Sequence, residues 1–558
     1  MTSWSRRDFL TRIGQIGGSA AMIESMVALG LVGDVGEWHG RPKVSPNMGR
    51  GKTVLILGAG IGGLATAYNL TQAGFRCEIL EASGRVGGRN HTARRGSLLT
   101  ERLDGEQVEQ YCDFDEGQYV NLGPGRLPFH HRRILGYCKE LQVALEPYIM
   151  NASGNLFQSD DSFGGRAKPY RVLQHDSRGL IAELLAKAVN QGALNQDLQL
   201  EDRARMISLL RRFGPLGGFC DSGDLIYRGS TRTGCSNSPN VFNDCDAPVP
   251  LSRQELLRSE FWTANFYDPL EFEWQPTLFQ PVGGMDMIVE GFMRHVGHMV
   301  TCNAPVTHIE VSEWGVYVTY QFGSARLSKF ADYCVSNIPC PILRRIPHNF
   351  ERSFSDAVRR TGFSAACKVG WQCESRFWES DPYQIYGGIS WTDDLIEQIW
   401  YPSHDPFTQK GTLTGAYIHD GFCSGDEQNA SLFGSWNLNQ RLQVARTGAA
   451  KLHPEFLDER LVKQALGLSV AWQNVPFLEG AWPNWGGQQF DDADYRRLLL
   501  PDRRFYVVGD QASTLPGWQE GAVMSAEHVV GLITGLTSHY VPDHVTAPDT
   551  LKVTRSQG

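Results

Sequence analysis

Six consecutive residues, Gly58-Ala59-Gly60-Ile61-Gly62-Gly63, are suited to binding a phosphate through backbone alone. An apolar run, Val54 to Leu57, precedes them, and an alanine-rich amphipathic segment follows. A second apolar run, Cys77 to Leu80, stops at Glu81. Strand, glycine turn, helix, strand and acid at this spacing describe a dinucleotide-binding βαβ unit. Gly58 permits the tight turn, Gly60 admits a pyrophosphate to the backbone, and Gly63 lets helix and strand pack closely. The helix that starts at Ile61 and Gly62 turns its N–H groups and the positive end of its dipole toward the phosphates. Glu81 stands where a carboxylate accepts both hydroxyls of an adenosine ribose; it would repel the 2′-phosphate of NADP. A glycine turn is a weak sign in a chain with 60 glycines, so the flanking strands and the acid carry the reading.

The segment Glu81-Ala82-Ser83-Gly84-Arg85-Val86-Gly87-Gly88-Arg89-Asn90-His91-Thr92 resembles the second nucleotide signature of the amine oxidase flavoproteins. That resemblance implies FAD, with Ala82, Arg85, Gly87, Gly88 and Arg89 about its phosphates and ring. Far along the chain, Phe505 to Gln511 and Leu515-Pro516-Gly517-Trp518-Gln519-Glu520-Gly521-Ala522 resemble the closing motif of the same family. By that match Gly509 and Asp510 face the ribityl–pyrophosphate region. The helix start from Gln519 to Ala522 points at the pyrimidine carbonyls, where a helix dipole stabilises negative charge on reduction. Pro281 to Asp286 resembles the family's PxGGM element, which enters a helix near the flavin, and Val306 matches a backbone contact to adenine. Relatives with covalent flavin use a cysteine in the closing turn. No cysteine follows Cys423, so noncovalent FAD is expected.

The L-amino-acid oxidases of this family carry a Gly-Ala-Met-Arg-x-Pro segment whose arginine grips the substrate carboxylate. Gly123-Pro124-Gly125-Arg126-Leu127-Pro128 resembles it, departing at Pro124 and Gly125. The resemblance places Gly123 to Arg126 beside the flavin and gives Arg126 the carboxylate, a role suited to a planar guanidinium that keeps its charge. It further implies Tyr417 as a second carboxylate anchor and Lys368, before the Phe377-Trp378-Glu379 turn, as the catalytic lysine that orders water or assists oxygen at flavin N5. Trp518 and the Gly517 carbonyl would meet the amine, and Trp482 the side chain; Trp472 falls in the same pocket-reaching segment. The implied reaction is oxidative deamination of apolar or aromatic L-amino acids, by hydride transfer from Cα to N5, giving a 2-oxo acid, ammonia and H2O2. A tryptophan 2-monooxygenase, a monoamine or polyamine oxidase, and a non-catalytic FAD-binding protein stay open as alternatives.

The elements that must position these residues give an α/β fold: a Rossmann-like FAD-binding domain of glutathione-reductase type, an α+β substrate-binding domain and a helical subdomain. The FAD-binding domain is expected from residues 51–110, 276–340 and 486–540, and the substrate-binding domain from 111–150 and 341–485. Leu173 to Phe213 has helical periodicity and sits in a subdomain spanning 151–275; Gly214 to Pro250 is loop-rich. Val306–Val311 and Val316–Thr319 alternate like paired strands, and Tyr333 to Ile338 reads as a strand returning to the nucleotide unit. A chain of 558 residues exceeds one ordinary core, and a net charge of −9 leaves no basic footprint for nucleic acid. The 12 cysteines show no metal-ligand spacing. Ser5-Arg6-Arg7-Asp8-Phe9-Leu10 resembles a twin-arginine export signal, which implies a periplasmic or secreted enzyme; without export the location is cytoplasmic. The stretch from Ile13 to Val32 is too polar for a membrane span. The partners implied are a small L-amino acid and O2, and the family's oxidases are often homodimers.

Overall fold

The computed structural model describes residues 40–217, 224–264, 271–420, 428–485 and 492–536. The export-like Ser5–Leu10 segment lies outside them. Among the described residues no helix is long and apolar enough to cross a membrane. No group of His, Cys, Asp and Glu among them is placed to hold a metal.

The glycine turn belongs to a five-stranded parallel sheet. Its order is Val300–Thr301, Arg76–Leu80, Thr53–Leu57, Tyr333–Ser336, Phe505–Val507. Alternate side chains of the central strand leave on opposite faces. Val54 and Ile56 enter a core built with the helices Ile61–Gln72, Met287–Val296 and Gln519–Thr534. Leu55 and Leu57 enter a second core under an antiparallel sheet of Val306–Val311, Val316–Phe322 and Ala325–Ala331. Burial on both faces is why this strand reads as an unbroken apolar run. The unit is Rossmann-like, and its strands come from three separated stretches of chain.

A seven-stranded mixed sheet stands against it. The order is Lys168–Pro169, Leu156–Gln158, Gly388–Thr392, Gln398–Tyr401, Gly411–His419, Ala366–Cys373, Gly467–Ala471. Cys367, Val369, Trp371 and Cys373 point into a core closed by the helix Leu438–Leu452. Period-two alternation therefore turns Lys368 to the other face. The neighbouring strand carries one extra residue: Val369 pairs with Ala416 but Gly370 with Thr414, leaving Gly415 as a bulge. Lys368 then lies directly across from Tyr417, and both face the nucleotide unit.

The helices Tyr170–Asn190 and Leu200–Phe213 form a separate small core through Ala182, Ala186 and Leu210. In the irregular stretch after them Cys235 and Cys245 form a disulfide. The other described cysteines are free thiols, buried except for half-buried Cys302.

A hairpin of Leu98–Leu103 and Glu106–Tyr111 is fastened to the helix Leu438–Leu452 by a buried ion pair. Glu101 and Arg441 pair at 2.9 Å with almost no exposure, and Glu101 also accepts the Ala471 N–H at 3.0 Å. Breaking such a pair strands a buried charge, so Arg441→Met is expected to cost about 3–5 kcal/mol. The drop should appear as a lowered Tm, and Glu101→Gln in the same chain should recover most of it.

Candidate active site

One cavity of about 1090 Å³ is lined both by the glycine turn and by the face of the large sheet that carries Lys368 and Tyr417. That is the upper end of small-molecule pockets, with room for a ligand of dinucleotide size. The helix Ile61–Gln72 begins here with no side-chain cap and no acid in its first turn. Its positive end is thus offered to the cavity. Gly87 N–H donates to the Ala59 carbonyl at 2.8 Å, which lays the second signature across the first. A Cβ on Gly63 would stand 2.1 Å from the Gly58 carbonyl oxygen, so only glycine lets the helix pack on its own turn.

Glu81 is oriented by the Ala59 N–H at 2.7 Å and by the N–H and hydroxyl of Ser83 at 2.9 and 2.8 Å. Arg89 and Asp510, both on the cavity wall, pair with each other; one of the two contacts is 3.0 Å, and Asp510 also accepts the Gly517 N–H at 2.9 Å. The helix Gln519–Thr534 likewise starts at the cavity without a side-chain cap. Its one first-turn acid, Glu520, is drawn away by the Ile134 N–H at 2.8 Å and by Arg133. The PxGGM element is held by Arg94, which takes both Asp286 oxygens at 2.8 Å and the Gly283 carbonyl at 2.9 Å.

On the substrate side Lys368 is buried and donates to the carbonyls of Gly123 at 2.6 Å and Asn121 at 3.4 Å. Its ammonium also lies 4.3 Å from the Trp400 ring and 4.7 Å from the Tyr417 ring. Burial, reinforced by the positive charge of Arg126, pushes the lysine down to about 7. His91, on the wall, is pushed down to about 3 by burial and by Arg85 and Arg94, so it is neutral at pH 7. Trp472 donates its indole N–H to the Leu122 carbonyl at 3.1 Å.

Most residues singled out by sequence border this cavity: Gly58, Gly60, Ile61, Gly62, Glu81, Ala82, Arg85, Gly87, Gly88, Arg89, Gly123, Pro124, Val306, Gly509, Asp510, Gly517, Trp518, Gln519 and Ala522. Lys368, Tyr417, Trp472 and Trp482 border it too. Gly63, Gly125 and Arg126 stand outside the lining. Arg126 is 4% exposed, with its guanidinium between the rings of Trp274 at 4.6 Å and Trp400 at 4.8 Å. A Cβ on Gly125 would lie 2.6 Å from the Trp400 ring, so the departure at Gly125 makes room for that indole. Sequence reasoning missed both tryptophans and Asn337, whose side chain packs into the glycine turn. No local spacing links positions 274, 337 or 400 to the motifs; only the end of the Tyr333–Ser336 strand hinted at Asn337.

Comparison with known proteins agrees with this architecture. The family described as flavin containing amine oxidoreductase matches residues 61–534. The flavin-dependent L-tryptophan oxidase RebO of Lentzea aerocolonigenes is 26% identical over 500 residues, covering 86% of this chain and 97% of that protein. An L-amino-acid oxidase of Echis ocellatus is 26% identical over 484 residues, covering 85% and 87%. The solved structure of putrescine oxidase bound to putrescine superposes with a TM-score of 0.52 at 17% identity, over 87% of this chain and 99% of that one; that likeness speaks for the fold alone. The uncapped helix starts, the glycine cradle and the oriented Glu81 fit FAD. Gly63→Val should therefore purify colourless where the unaltered protein should purify yellow; flavin absorbance at wild-type stoichiometry would refute this account of the cradle.

Proposed function

The chain belongs to the flavin containing amine oxidoreductase family, and from that premise we propose that it is an L-amino-acid oxidase. FAD, held noncovalently by the glycine cradle, Glu81 and the start of the Gln519–Thr534 helix, would supply a hydride acceptor, with O2 as the final oxidant. The observation that carries the reading is that two buried basic side chains flank one ring: the Arg126 guanidinium lies 4.8 Å and the Lys368 Nζ 4.3 Å from the centre of Trp400. A substrate carboxylate is attracted to such a pair, and a diamine or simple amine cation is repelled.

In this reading Arg126 takes the carboxylate in a bidentate pair, with the Tyr417 hydroxyl as a second anchor. The Gly517 carbonyl accepts from the amine, which sits beside Trp518 and loses its proton more readily in dry surroundings. These contacts would fix the direction of the substrate Cα–H, and positioning supplies much of the rate. The substrate gives up Cα–H as hydride and one N–H proton, and so becomes an imino acid. Water converts that to a 2-oxo acid and ammonia, and the two electrons and two protons taken from the substrate reduce O2 to H2O2. Trp472, Trp482 and Trp518 line the cavity and favour an apolar or aromatic side chain. The twin-arginine-like N-terminus suits export of a protein folded around its cofactor, and we propose export as its location.

Anaerobic mixing with a panel of L-amino acids tests the reading directly, because substrates should bleach the flavin. Bleaching by amines alone, or by nothing, would overturn it, and an amide in place of the oxo acid would make it a monooxygenase. Arg126→Ala should lower kcat/KM for amino acids by about 100-fold or more with FAD retained. A loss under about tenfold would count against the carboxylate role.

Lys368 is charged below about pH 7 and neutral above it. Its positive charge stabilises negative charge developing on oxygen. The rate of reoxidation by O2, followed by stopped flow, should therefore fall as pH rises through about 7. Lys368→Met should be slower by on the order of tenfold at low pH and lose this pH dependence.

A further inference from the structure

Arg126 is enclosed by two indoles that differ in how they are held. Trp400 lies in the strand Gln398–Tyr401 inside the seven-stranded sheet, 8% exposed, with its N–H donated to Gln398 at 2.8 Å. Trp274 is half-buried and ends a three-residue turn, Phe272–Trp274. Rings clasp that turn: Phe272 stacks on His130 at 4.3 Å and meets Phe129 edge-on at 5.7 Å. The Trp274 ring touches both ends of the substrate site, because it is also 5.0 Å from Trp518. One indole thus spans the gap between the guanidinium and the residue beside the amine. An amino acid held at both ends needs that gap.

We propose that Trp274 is a displaceable cover of the carboxylate site, occupying the place of the substrate's backbone atoms and swinging aside when a carboxylate reaches Arg126. This deepens the amino-acid oxidase reading and rests on it. The cover contributes specificity through an exchange of interactions. A carboxylate replaces the cation–π contact with a charge-assisted bidentate pair, and an amine without a carboxylate has nothing to offer Arg126 in return. The cost is affinity, since a site open for only part of the time binds with an apparent Kd raised by that fraction.

Removing the cover should therefore tighten binding, an effect that structural damage does not produce. The test uses the FAD-loaded protein and benzoate, an inert carboxylate whose binding is read from perturbation of the flavin spectrum. Trp274→Ala should lower the Kd for benzoate by about fivefold or more. Trp274→Phe, which keeps a ring and much of the packing, should lower it by less. An unchanged or raised Kd in both variants would overturn the proposal. The same titration on Arg126→Ala should show no tightening when Trp274→Ala is added. Wild-type bleaching by L-amino acids reports separately on the oxidase reading, so failure of one is distinguishable from failure of the other.

Discussion

The ion pair between Arg89 and Asp510 joins residues 421 positions apart and holds the two walls of the cavity in register. Arg89 follows the second glycine turn, and Asp510 precedes the closing helix. Asp510 is 6% exposed on its side chain against 24% for Arg89, so the acid is the more deeply buried partner. Asp510 in turn accepts from the Gly517 N–H, which sets the turn leading to Trp518. The second glycine turn and the turn before Trp518 are thereby tied to a single carboxylate. A change in either partner alters both.

The substrate side rests on a different constraint, the two-residue period of a strand. Lys368 is flanked by Cys367 and Val369, which belong to the core under the Leu438–Leu452 helix. Its own side chain must leave on the opposite face, where a cation can meet carbonyl dipoles in place of water. Because Gly415 bulges out of the ladder, Val369 pairs with Ala416; if Gly415 paired regularly after Thr414, Lys368 would stand opposite Ala416 and not Tyr417. A bulge of one residue brings the aromatic and the cation together.

Local pattern made much of this legible. The run from Val54 to Glu81 announces strand, turn, helix and strand because each depends on neighbours in sequence. Tyr333–Ser336 is similarly readable as a short buried strand. The strand Ala325–Ala331 is not, since most of its residues are exposed and include Arg326, Ser328 and Lys329. Lys368 and Tyr417 could be named individually from the resemblance, but their adjacency is a matter of register. The enclosure of Arg126 is further still from the sequence: Trp274 and Trp400 reach it from a three-residue turn and a central strand, and no spacing connects the three. The resemblance gave Arg126 a substrate carboxylate, and the fold adds the two indoles that flank its guanidinium.

The last strand of the parallel sheet, Phe505–Val507, and the helix that follows it come from the far end of the chain. A ribosome therefore delivers the phosphate turn early and the opposite wall last. Throughout synthesis the nascent chain displays a nucleotide fingerprint with no enclosure around it, and contacts of this sequence separation are slow to form. Capture of the cofactor belongs to the finished polypeptide. A message cut short before Phe505 would yield a protein that carries the dinucleotide signature yet stays colourless.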